Sequence, residues 1–133
     1  MADLSKISER RLLTCHPDLI NVMRTVIRDY DFSVLCGHRT ESEQHALYVK
    51  GRTEPGAIVT YTDWPDSKHN GEPSLAVDIV PYPIDWNNIQ RFHELAGRVL
   101  EVAALFDLNV TWGGHWERFK DYPHFQLNTG GTA

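Results

Sequence analysis

Apolar residues recur along this chain with two different periods. From His16 to Tyr30, Leu19, Ile20, Met23, Val26, Ile27 and Tyr30 follow three- and four-residue steps behind Pro17, which predicts a helix with one buried face. Phe32 to Cys36 predicts a short strand ending at Gly37. Thr40-Glu41-Ser42-Glu43 has the capping-box pattern, and Ala46, Leu47 and Tyr48 continue a helix that Gly51 stops. Residues 52–73 carry three prolines, two glycines and many polar groups, and predict a long surface loop. Leu75 to Val80 is an apolar run broken only by Asp78, the pattern of a buried strand. Asn87 to Phe106 has Ile89, Phe92, Leu95, Ala96, Val99, Leu100, Ala103 and Phe106 at helical spacing, and is the longest predicted helix. Leu108 to Trp112 and Tyr122 to Leu127 complete the strands, with a turn at Gly113-Gly114 between them. Helices interleaved with short strands predict an α+β domain with a small, largely antiparallel sheet.

The 133 residues fit one compact domain, with 41% hydrophobic and 23% charged residues. No apolar run approaches the ~18 residues needed to cross a bilayer, so no stable membrane insertion is expected. The first residues lack the apolar stretch of a secretory signal. Cys15 and Cys36 are too few for a disulfide framework, read as reduced thiols and stand far from the His and Asp motifs in sequence. Residues 1–52 hold 8 basic and 7 acidic side chains, whereas residues 53–133 hold 5 and 11. An acidic C-terminal half argues against a nucleic-acid partner and against a nuclease.

Asp78 is the most informative residue. A carboxylate inside a run that is apolar on both faces costs several kcal/mol unless a cation or several donors compensate it. A salt bridge or hydrogen bonds to a nearby loop would satisfy it, and so would a metal. His69 lies upstream at the end of the long loop. In Tyr122 to Leu127, strand alternation turns His124 and Gln126 one way and Phe125 and Leu127 the other. Two imidazoles and one carboxylate form the three-ligand set of a catalytic zinc. Asp121 stands close enough to His124 to approach the water of such a site without binding the metal. Of the other histidines, His16 suits a helix start, His45 and His93 fall within helices, and His38 suits a surface turn.

Ser67-Lys68-His69 followed by Ala76-Val77-Asp78 resembles the Ser-x-His…Ala-x-Asp signature of the zinc D-alanyl-D-alanine carboxypeptidase and L-alanyl-D-glutamate endopeptidase family, which includes many phage endolysins. Gly37-His38-Arg39-Thr40 with Gln44, Leu47-Tyr48 and Gly51-Arg52-Thr53 resembles a second segment of that family. Trp112-Gly113-Gly114-x-Trp116 and Asp121-x-x-His124-Phe125 resemble its C-terminal block. The motifs run in the family's order from about residue 7 to residue 128. Two departures stand out. The family's His-x-x-Gly-x-Ala-x-Asp spacing is widened by two residues, so the step from His69 to Asp78 is nine. His115 stands where the family often has Asp, placing a spare imidazole near the site for substrate or metal.

The resemblance implies a hedgehog/DD-peptidase-like fold with one Zn2+ per chain held by His69, Asp78 and His124, and Asp121 as general base. Arg39 would face a substrate carboxylate or the tetrahedral oxyanion, or else pair with Glu41 or Glu43. Gln44, His115 and Trp112 are the expected substrate-binding residues. The implied substrate is the peptidoglycan stem peptide, cut at L-Ala–D-Glu, or alternatively at D-Ala–D-Ala. A non-catalytic zinc-site binding domain and a structural zinc are rival readings. Asp121 argues against the first, and the two distant cysteines argue against the second. Further expectations are a single catalytic domain over 1–133 with no separate wall-binding module, acting as a monomer. It would be made in the host cytoplasm without a signal peptide and reach the periplasmic wall after holin-mediated release.

Overall fold

A computed structural model describes residues 2–129. Among the described residues four α-helices pack with one four-stranded antiparallel sheet; the sequence pattern predicts the sheet and three of these helices. The helices are α1 (Lys6–Leu12), α2 (Pro17–Val26), α3 (Glu41–Tyr48) and α4 (Ile89–Leu105); the strands are β1 (Phe32–Cys36), β2 (Ala76–Pro81), β3 (Val110–Trp112) and β4 (His124–Leu127). The spatial order is β1-β2-β4-β3, with every neighbouring pair antiparallel.

Local chemistry explains most boundaries. Pro17 starts α2, and His16 caps it by accepting a hydrogen bond at Nδ1 from the Asp18 backbone N–H (3.1 Å). The Thr40 side chain accepts from Glu43 N–H while the Glu43 carboxylate accepts from Thr40 N–H, closing the predicted capping box on α3. Gly51, at φ 78°, occupies the left-handed region beyond that helix.

Three features stand out against the sequence pattern, besides shifts of one or two residues at the ends of β2, β3, β4 and α4. Helix α2 stops at Val26, four residues before Tyr30. The Gly113-Gly114 turn is a single 3-10 turn, Gly113–His115. Helix α1 has no counterpart in the apolar periodicity, because it buries only Ser8 and Leu12 and leaves Ile7 exposed. Ser5 caps it through its side-chain oxygen, and the Ser8 hydroxyl accepts from Val34 N–H (2.9 Å), tying α1 to β1.

The core lies between helices and sheet. Leu19, Val22, Met23 and Val26 of α2 and Phe92, Leu95, Ala96 and Val99 of α4 meet Val77, Ile79, Phe125 and Leu127. Because side chains alternate along a strand, Asp78, His124 and Gln126 are turned to the opposite face. The sheet thus presents an apolar face to the helices and a polar patch to the long loop.

Candidate metal centre and cleft

The patch is assembled by register. Asp78 is the cross-strand partner of both His124 on β4 and Cys36 on β1, so the three residues form a row across the sheet. A bulge sets the third position. Val34 pairs with Ile79 and Cys36 with Asp78, so two residues of β1 span one step of β2.

His69 enters from a 3-10 turn, Lys68–Asn70. Ser67 Oγ accepts from His69 N–H (3.2 Å), and Asn70 Oδ1 accepts from Ser67 N–H (3.1 Å). His69 O accepts from Arg39 N–H (2.8 Å), which fastens the turn to the segment after β1. Gly37 is required there, because a Cβ would lie 2.2 Å from Thr14 Oγ1 and 2.5 Å from Arg11 O.

The imidazoles converge on one carboxylate oxygen. His69 Nε2 and His124 Nδ1 each lie 3.2 Å from Asp78 Oδ1. The far nitrogen of each ring faces an acceptor: His69 Nδ1 is 2.7 Å from Gly37 O, and His124 Nε2 is 2.8 Å from Gln126 Oε1. With those nitrogens donating, the near nitrogens direct lone pairs at a carboxylate oxygen, a repulsive contact unless a proton or a metal cation sits between them. The donor set therefore fits a metal. Asp78, Asp121 and His124 present ligand atoms within 4.8 Å of one another, as do Cys36, His69 and Asp78.

Electrostatics follow from the same contacts. Burial opposes charge on Asp78, but hydrogen bonds from His124 and His69 outweigh it and hold the carboxyl well below the usual carboxylate range. Burial likewise opposes charge on His69, yet the bond to Asp78, aided by Cys36, lifts its pKa to about 9 without a metal. Asp121 moves upward, first from burial and then from the negative charge of Asp78.

A cavity of about 680 Å³ opens above the patch. His69, His124, Asp121 and Arg39 line it, with the Ile58–Thr62 stretch on one wall and Trp116, Phe119 and Lys120 on another. Tyr61 and Phe119 stack with ring centroids 4.0 Å apart, joining the two loops. Phe119 takes a left-handed φ of 55°, rare for a bulky residue, while 62% of its surface is exposed.

The structure brings together His69, Asp78, His124, Asp121 and Arg39. Asp121 Oδ2 lies 4.0 Å from His124 Nδ1. Arg39 donates to Asp78 Oδ2 and Gln44 Oε1, both at 3.3 Å, and makes no ion pair with Glu41 or Glu43 among the described residues. Three expected substrate-binding residues lie elsewhere. Gln44 is completely buried, its amide joining Arg39, Asn70 and the Thr62 carbonyl, so it braces the site from behind. Trp112 is 2% exposed and donates to Tyr122 O (2.7 Å), as a core residue. His115 packs edge-on against Trp112 at 4.9 Å, outside the cavity.

Two site contacts escaped the sequence reading: Gln126 Oε1 faces His124 Nε2, and Cys36 Sγ lies 3.8 Å from His69 Nδ1. Trp116 lines the cleft, its ring tilted against that of His124 at 5.2 Å. Distance in sequence thus misplaced Cys36, since the bulge and the strand register bring it beside His69.

Two imidazoles and a carboxylate converging beside a second carboxylate, at the floor of a cleft, form the donor pattern of metal-dependent hydrolases. The chain belongs to the phage L-alanyl-D-glutamate peptidase family, whose model matches residues 1–130. It is 35% identical over 105 residues to the peptidoglycan L-alanyl-D-glutamate endopeptidase CwlK of Bacillus subtilis. That match covers 73% of this chain and 60% of the relative, so the chain spans less than two thirds of that protein's length. The fold is also similar to the crystal structure of the Serratia marcescens L-Ala D-Glu endopeptidase ChiX. The TM-score is 0.76 at 31% identity, with 95% of this chain and 90% of that one covered.

Proposed function

We propose that this chain is a zinc-dependent peptidoglycan endopeptidase that hydrolyses the L-Ala–D-Glu bond of the stem peptide. The observation that carries the reading is the convergence of His69 Nε2 and His124 Nδ1 on Asp78 Oδ1, with Asp121 alongside, in a member of this family. His69, Asp78 and His124 would hold the metal. Zinc supplies Lewis-acid activation of water and of the scissile carbonyl at neutral pH.

The remaining roles belong to this chain's side chains. Asp121 takes a proton from the attacking water at its carboxylate and returns it to the departing D-Glu amine. Its raised pKa, caused by burial and the neighbouring charge of Asp78, makes it a stronger base than an ordinary aspartate. Arg39 lines the cleft and has more donors than its bonds to Asp78 and Gln44 use, so it suits a substrate oxygen carrying negative charge. Gln44 fixes the guanidinium from the buried side. In the net reaction, water gives OH to the alanyl carbonyl carbon and H to the D-Glu nitrogen.

The family's phage membership supports an endolysin that reaches the wall after holin-mediated release. No helix among the described residues is long and apolar enough to cross a membrane.

Digestion of purified Gram-negative peptidoglycan, with and without a chelator, tests the reading by mass spectrometry of the fragments. The expected product is a stem peptide with a new N-terminal D-Glu, lost on chelation and restored by zinc. Loss of terminal D-Ala alone would move the chain to the carboxypeptidase branch. No chelator-sensitive product from protein carrying one zinc would make it a binding domain.

A further inference from the structure

The charge around the cleft runs against the charge of the chain. Only five basic residues follow residue 52, in a segment with 11 acidic ones, yet Lys68, Arg118 and Lys120 of those five line this single cavity. None of the three has a carboxylate partner within 4.0 Å among the described residues, whereas Arg39 is paired with Asp78. Unpaired cations gathered on the wall of one cleft form a receptor for an anion.

Lys120 differs from the other two in being fixed. Its Nζ donates to Trp116 O (2.8 Å) and Gly114 O (3.3 Å), so both bonds go to neutral carbonyls and the formal charge stays uncompensated. Three ammonium protons serve two acceptors, leaving one donor free. The turn that holds it is itself fixed. Gly113 O accepts from Trp116 N–H (3.2 Å) and from Asp121 N–H (3.1 Å). The Lys120 ammonium is therefore tied to the same turn as Asp121, the next residue and the proposed base.

Resting on the endopeptidase reading above, we infer that Lys120 binds the free α-carboxylate of the D-Glu residue on the leaving side of the scissile bond. In the stem peptide D-Glu continues through its γ-carboxyl group, so its α-carboxylate remains free on the carbon that bears the scissile nitrogen. That anion must enter a cleft lined by Asp66 and Asp121 and floored by the two imidazoles that converge on Asp78. A cation anchored beside the base offsets the repulsion and sets the amine where Asp121 delivers its proton. The chain then discriminates between stems with a free D-Glu carboxylate and stems in which that group is amidated.

Two N-acylated L-Ala–D-Glu(γ)–L-Lys peptides, identical except for a free α-carboxylate or an α-carboxamide, test this with zinc-loaded protein. The native chain should prefer the carboxylate by about tenfold or more in kcat/KM, chiefly through KM, as expected for one charge-assisted hydrogen bond. Lys120→Met should lose that preference by weakening only the carboxylate substrate, and Lys120→Arg should restore part of it. Lys120→Gln serves as a second neutral variant should Lys120→Met fail to fold. Equal cleavage of both peptides by the native chain overturns the inference and leaves the endopeptidase reading intact. A neutral variant that keeps full zinc but loses both substrates equally also overturns it. A native chain that cleaves neither peptide overturns the endopeptidase reading and this inference together.

Discussion

Asp78 and His124 face each other across β2 and β4, and a single carboxylate oxygen, Asp78 Oδ1, lies 3.2 Å from the His124 ring and 3.2 Å from His69. Strand register thus delivers two of the three proposed ligands, and the capped turn after Ser67 delivers the third.

His124→Ala should abolish stoichiometric zinc binding, measured by metal analysis after dialysis. A full complement in the variant would remove His124 from the ligand set. Gln126→Leu keeps the ligand but deletes the acceptor of His124 Nε2. Outer-shell losses of this kind cost about 10–100-fold in metal affinity, and an unchanged zinc Kd would show that Gln126 does not orient the ring.

Asp121→Ala should retain fold and zinc while lowering kcat by about 10²–10⁴-fold, the usual contribution of a general base. Retained activity would place the base elsewhere. His115 is a poor substitute, since it packs on Trp112 outside the cleft.

Gly113→Ala acts through packing alone. Its Cβ would lie 2.4 Å from Asp121 O and 3.0 Å from Asp121 Cβ. Relief of that clash must move Asp121 or the turn, at a cost of about 1–3 kcal/mol, read by urea unfolding. Activity should fall with zinc content unchanged, and unaltered activity would show that Asp121 needs no such placement.

Stability of the metal-free protein should depend on pH from both sides of the triad. His69 has a raised pKa, so its contribution is complete below the unfolded value near 6.5 and is lost as pH rises through about 9. Asp78 has a depressed pKa, so its contribution is present above the unfolded value near 3.8 and is lost as pH falls through the folded one. The triad therefore stabilises most between roughly pH 4 and 6.5, and a denaturation series without metal should show that maximum flattened in Asp78→Asn. A metal at His69 Nε2 must displace the proton held there. Zinc binding at pH 7 should then release about one proton from this residue, measured by calorimetry in buffers of different ionisation enthalpy. Binding without proton release would show that His69 is not a ligand.

Much of this was legible in the sequence because the signals are local. Pro17, the Thr40–Glu43 box and the spacing from Ile89 to Ala103 each act within a few residues; α2 and α3 begin as they predict and α4 starts two residues later than Asn87. Asp78 was legible because a charge inside an apolar strand demands a partner. Contacts set by topology were not. The bulge that pairs Cys36 with Asp78 leaves no mark in the sequence of β1, and the burial of Gln44 depends on partners as distant as Thr62 and Asn70. The family's motif marked Gln44, Trp112 and His115 without showing which of them face the cleft.

The most direct test of the metal centre is anomalous diffraction at the zinc edge from crystals of the zinc-loaded protein. One peak should appear at about 2.0–2.2 Å from His69 Nε2, an Asp78 carboxylate oxygen and His124 Nδ1, with Asp121 outside bonding distance. A peak bound through Cys36 Sγ, or no peak among these residues in fully active protein, would contradict the account.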